Sequence, residues 1–195
     1  MTDIFNKLEL EAFKAGITPR TKESIAWFRK KAQSMRNVNR SALMKDETLE
    51  LGNKPIVGNM FMFFYDPKTK DTLPYYDSFP LTIIVGKSPG GFTGLNLHYL
   101  PPILRAKMLD GLVEITNNSK YDETTRFQVK YSMLQKASSL KYFKPCFKRY
   151  LTAHTRSRFA YVPPPEWEIA TFLPTADFQK AGRSTVYAES RKAIS

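Results

Sequence analysis

The sequence predicts an α+β protein: a small antiparallel sheet or partly closed barrel covered by amphipathic helices, with an N-terminal helical arm. Three observations predict it. β-branched and aromatic runs separated by turn residues recur between Ile56 and Leu100. Apolar residues at steps of three and four flank that stretch. The first 54 residues carry only narrow apolar stripes among many cations.

Taken in order, Ile4, Leu8, Ala12 and Ala15 recur at helical spacing, and Gly16 and Pro19 supply the stop. Thr21 or Ser24 caps a second helix with Ile25, Phe28 and Met35 on its apolar side. Asn37 to Lys54 reads as a linker with at most one helical turn. IVGNMFMFFYDP and PLTIIVG read as two buried strands, and GFTGLNLHYL as a third, entered through the turn signal SPGG. Phe92, Leu95, Leu97 and Tyr99 are expected near one face of that strand. The intervening DPKTKDTLPYYDSFP is too rich in proline and aspartate for a strand and is expected as an ordered loop pinned by Tyr75, Tyr76 and Phe79.

Pro101-Pro102 starts a helix with Ile103, Leu104, Met108 and Leu112 inward, weakened near its end by Gly111. Phe127, Tyr131, Leu134 and Ala137 mark a further helix. KPCFKRYLTAH is expected as another, with Phe147, Tyr150 and Leu151 inward and Lys144, Lys148 and Arg149 outward. RFAYV and EWEIATFL read as strands returning to the sheet, with 170–173 in the core. The expected organisation is an arm and linker over 1–54, one α+β domain over 55–180, and an exposed tail over 181–195.

Charge is the most informative feature. Between Arg126 and Arg158 lie nine basic residues and no acid, which is nine of the twelve excess positive charges. Arg20 to Lys45 holds eight cations against Glu23 alone. Concentration of this kind points to an anionic partner, nucleic acid before anionic membrane, against the plain alternative of a solvated basic surface. The candidate nucleic-acid contacts are Arg29, Lys30, Lys31, Arg36, Arg40, Lys130, Lys141, Lys144, Lys148, Arg149, Arg156 and Arg158.

Composition narrows the classes. A hydrophobic content of 42% with 13% aromatics is that of a folded chain. No apolar run reaches the ~20 residues that span a bilayer, and MTDIFNKLELEAFKAG has neither a basic leader nor an apolar signal core. A soluble, unexported chain with no membrane partner is expected. A single cysteine, Cys146, leaves no internal disulfide, and with His98 and His154 it makes a poor zinc set, so no metal and no cofactor are expected.

Three motifs were weighed for chemistry. Cys146 and His154, eight residues apart on one helix, would lie ~12 Å apart, too far for a nucleophile and its base. Asp66, Asp71 and Asp77 beside Lys68 and Lys70 invite comparison with a metal-dependent nuclease, but their spacing is loose, and Asp66-Pro67 reads as a turn with Asp77 as a loop cap. Lys87 to Gly91 lacks the spacing of a phosphate-cradling loop, so a nucleotide or other small-molecule substrate is not indicated. Tyr131, Tyr142, Phe143, Phe147 and Tyr150 are placed to stack on bases, although their spacing fits core packing better. His98 reads as a satisfied core or pocket histidine.

The run GNMFMFFYDPKTKDTLPYYDSFPLTIIV, then GGFTGLNLHYLPPILRAKMLDGL, FKPCFKRYL and EWEIATFLPTADFQ, resembles a family of virion proteins of tailed myoviruses, that of the phage DNA end protector. The resemblance spans about 56–179, and FYDPKTKDTLPYYDSFPL is its most specific tract. It implies a non-enzymatic protein carried at the head and neck of the particle, binding the ends of packaged double-stranded DNA and bringing no catalytic residues. The rival expectation is a structural neck, tail or baseplate component whose basic arms grip neighbouring virion proteins.

Overall fold

The computed structural model describes residues 4–120, 122, 128, 131–134, 136 and 140–195. Six strands form one antiparallel sheet in the order β1-β7-β2-β4-β5-β6, and two more form a small second sheet, β3-β8. The strands are β1 (Leu51–Gly52), β2 (Met60–Met62), β3 (Tyr76–Asp77), β4 (Leu81–Ser88), β5 (Gly91–Asn96), β6 (Phe147–Leu151), β7 (Phe159–Val162) and β8 (Phe178–Gln179). The larger sheet is open, with β1 and β6 at its edges, so the partly closed barrel is not formed.

Both faces of the large sheet are covered, which is why its strands read as continuous apolar runs rather than alternating ones. One face carries Met60, Met62, Leu81, Ile83, Leu95, Ala160 and Val162 into the main core beneath the helices. The other buries an aromatic cluster of Phe61, Phe63, Tyr65, Phe92, Tyr150 and Phe159. Phe92 therefore faces away from Leu95 and Leu97, and the third strand stops at Asn96, whose side chain caps a 3-10 turn over Leu97–Tyr99.

Helix α1 (Ile4–Lys14) buries Phe5, Leu8 and Ala12. In α2 (Lys22–Gln33), Thr21 and Ser24 form a reciprocal capping box that satisfies two terminal N–H groups. The stretch read as a linker holds α3 (Arg40–Leu43) and β1, and buries Val38, Leu43 and Leu49 in the main core. Helix α4 (Pro102–Asn117) runs through Gly111. Its inner side is Arg105, Ala106, Met108, Leu109 and Leu112, which leaves Ile103 52% exposed and corrects that expectation. In the next expected helix, residues 131–134 are helical with Leu134 buried, while Arg126, Phe127, Lys130 and Ala137 lie outside the described residues.

Two elements change type. KPCFKRYLTAH is not a helix. Lys141–Cys146 is a 3-10 turn containing Pro145, and β6 follows it along β5. Pro145 lacks the N–H an α-helix needs, and Gly91 of β5 allows a close approach, since a Cβ there would stand 1.8 Å from the Tyr150 carbonyl oxygen. EWEIATFL is not a strand but α5 (Trp167–Phe172), buried on every side and started by the prolines at 163–165. With no polar face, its pattern carries no helical period to read. The residues read as an exposed tail form α6 (Arg183–Ile194), which buries Val186 and Ser190.

Candidate nucleic-acid interface

The acid-free run crosses an edge strand. In β6, Lys148 pairs with Gly94, Arg149 with Thr93 and Tyr150 with Phe92. Alternation puts Lys148 and Tyr150 on the aromatic face and Phe147 and Arg149 on the other. Because Gly94 has no side chain, nothing on β5 crowds the Lys148 stem, and its Nζ lies 4.1 Å from the centre of the Tyr99 ring. Burial holds the Lys148 ammonium below its ordinary value. Arg149 is exposed and donates to the Pro89 carbonyl at 2.8 Å, across the two-residue turn where Gly90 takes a φ of +71°.

The other candidate cations differ in what they bond. Lys31 lies 2.5 Å from Glu11 and over Trp27. Arg40 donates to the carbonyls of Thr175 and Ala176, both at 2.7 Å, and pairs with Asp177. Arg156 pairs with Asp66 at 3.3 Å, Arg158 donates to the Leu51 carbonyl and Lys141 to that of Ser195. These five tie the chain to itself. Lys30, Arg36 and Lys144 are exposed without an ion pair or hydrogen bond to a described residue. Arg29 lines a cavity of about 190 Å³ together with Arg105 and Arg183. Lys130 lies outside the described residues.

A larger cavity, about 310 Å³, opens beside β6 and is lined by Tyr65, Tyr75, Tyr76, Tyr99, Lys148 and Arg149 among others. At its inner wall is a polar network that the sequence reading did not assemble. Asp77 accepts from His98 Nδ1 at 2.7 Å, Asn96 Nδ2 at 3.0 Å, and the backbone N–H groups of Phe79 and Asp177 at 3.1 Å. Burial pushes the Asp77 carboxyl up, but the His98 ring and these N–H donors outweigh it, so Asp77 lies below the usual carboxylate range. An ionised carboxylate only accepts, so the His98 proton sits on Nδ1 and Nε2 faces Thr175 Oγ1 at 3.1 Å. Burial also keeps the His98 ring below its ordinary value. Asp77 thus caps its loop, as expected, while binding two other segments as well. The polar letters of NLHY in an apolar run were the available signal.

A second buried cation, Arg105, donates to the carbonyls of Leu100, Thr171 and His98 and to the Tyr187 hydroxyl. It joins α4, α5, α6 and the turn after β5 without a carboxylate. Cys146 is buried, donates its S–H to the Phe143 carbonyl, and is pushed up to about 12 by burial, so the thiol is inert at neutral pH. Asp66 is engaged by Lys70 and Arg156. Among the described residues, no group of three or more His, Cys, Asp or Glu is placed to hold a metal, and no helix is long and apolar enough to cross a membrane.

No curated protein and no solved structure matches the chain. A family model described as "Phage T4 terminal DNA protecting protein" matches residues 5–192. The match takes in α1, the β6 edge and nearly all of α6, so this chain belongs to the bacteriophage family of the T4 terminal DNA protecting protein.

Proposed function

We propose that this chain is a non-enzymatic virion protein that binds the ends of packaged double-stranded DNA at the head or neck of the particle and shields them from exonuclease. The observation that carries this reading is the acid-free run of nine cations, in a member of a terminal DNA protecting family, which crosses the edge strand β6 and leaves Lys144 and Arg149 exposed. No zinc finger, basic zipper or helix-turn-helix pattern stands in the sequence, so contacts run mainly to phosphates. Neutralising six to nine phosphates lowers log affinity by ~0.9 per phosphate per tenfold rise in salt.

The test compares linear with circular duplex. The protein is expected to retain linear DNA in a gel shift at lower concentration than circular DNA, and to slow its digestion by an exonuclease. Replacing Lys144 and Arg149 together by Gln, both exposed, is expected to weaken retention and reduce the salt slope by about two phosphate contacts. Equal binding of circular and linear DNA with unhindered digestion would sink the proposal. A second reading has its own observation: Leu10 and Phe13, 52% and 79% exposed on α1, offer an apolar face to a neighbouring virion subunit. Phe13→Asp would then release the protein from assembled particles while leaving DNA retention intact.

A further inference from the structure

The cavity beside β6 has the chemistry of a single nucleotide. Its volume of about 310 Å³ admits one base and its phosphate, but not a duplex. Tyr75 and Tyr76 are half-buried and keep part of their rings open to it, while Tyr65, Tyr99 and Tyr150 close its floor. Lys148 is half-buried in the lining and makes no ion pair with a described residue. The carboxylate in the lining, Asp77, is already turned to four N–H donors. Arg149 and Lys68 stand exposed at the mouth. A cation held out of water without an anion, next to aromatic faces, matches a phosphate joined to a base.

We propose that this cavity takes the 5′-terminal nucleotide of a DNA end, its phosphate on Lys148 and its base against Tyr75 and Tyr76. This inference rests on the DNA-end reading above and supplies a physical means of telling an end from continuous duplex. A terminal phosphomonoester carries a charge of about −1.5 to −2 at neutral pH, whereas each internal diester carries one. Lys148 in the lining, with Arg149 and Lys68 at the mouth, suits the former. Unstacking a terminal base is also easier than extruding an internal one, which breaks stacking on both sides.

The experiment measures binding of the full chain to hairpin duplexes with one open end. That end carries a 5′-phosphate or a 5′-hydroxyl, blunt or with a one-nucleotide 5′ overhang. A dumbbell without ends is the control. The phosphorylated overhang is expected to bind about tenfold tighter than the blunt hydroxyl end, the worth of one charged hydrogen-bond pair. Tyr76→Leu is expected to erase that difference and leave dumbbell binding unchanged, and Lys148→Met is expected to erase it as well. The wild-type comparison decides the matter even if either variant folds poorly. Preference for open ends with no dependence on the phosphate or overhang overturns the nucleotide cavity and leaves end binding standing. Failure to distinguish any open end from the dumbbell overturns the end-binding reading itself.

Discussion

Asp77 and His98 join β3, the end of β5 and the segment before β8 through side chains that are almost wholly buried. Asp77→Asn would set an amide N–H₂ among four N–H donors, and is expected to cost about 3 kcal/mol in urea denaturation, the range for a buried polar group left unpaired. The same pair sets a pH dependence. His98 is held below its unfolded value of about 6.5, so the unfolded state binds the proton first, and stability falls as pH drops below that value. Asp77 is also lowered; its contribution is present above about 3.9 and disappears as pH falls through the lower folded value. Glu168, raised by burial against its bonds from Ser24 and Arg20, acts in the opposite sense on acidification. Thermal melts should therefore decline between pH 7 and pH 5, and His98→Gln should flatten that decline. An unchanged slope in the variant would assign the effect elsewhere.

Elements whose pattern depended on their own residues were legible, and those decided by a neighbour were not. Helix α2 has its cap and most of its stripe in its own residues, although it ends at Gln33 before Met35, and α1 has its stop at Gly16. In β6, Phe147, Tyr150 and Leu151 satisfy helical spacing, yet β5 offers a complete ladder partner and the strand wins. A sequence read alone cannot weigh that ladder: of the set read as outward, Lys144 and Arg149 are exposed and Lys148 is half-buried. As a strand, β6 sends Lys148 to the aromatic face and Arg149 to the opposite one. Gly91 is the residue that permits this pairing. Gly91→Ala is expected to cost at least about 3 kcal/mol, because the new Cβ would overlap backbone rather than a movable side chain. Near-wild-type stability in a thermal melt would show that β5 and β6 can separate without loss.

Across the whole molecule, the basic N-terminal block is part of the interior rather than a free arm. Phe5, Leu8, Ile25, Phe28 and Leu43 share the main core with Leu81 and Leu95, and Ser24 donates to the buried Glu168 at 2.6 Å. Removing residues 1–36 is expected to abolish cooperative unfolding of the remainder, monitored by near-UV circular dichroism. A sharp transition would mean that the sheet and α4–α6 stand alone. Net charge points to an anionic partner at this scale, but not to which cations remain available once Arg40, Arg156 and Arg158 have bonded within the chain.

The place of β6 at the edge of the sheet has a consequence for crowding. An outer strand invites a second copy to add its own, and proteins packed at high concentration are most exposed to such zippering. Two β6 flanks laid antiparallel would bring Lys148 and Arg149 of each copy close to those of the other, and like charges so near repel. On the proposed reading, the cations that meet a polyanion would thus also keep the flank from its own kind.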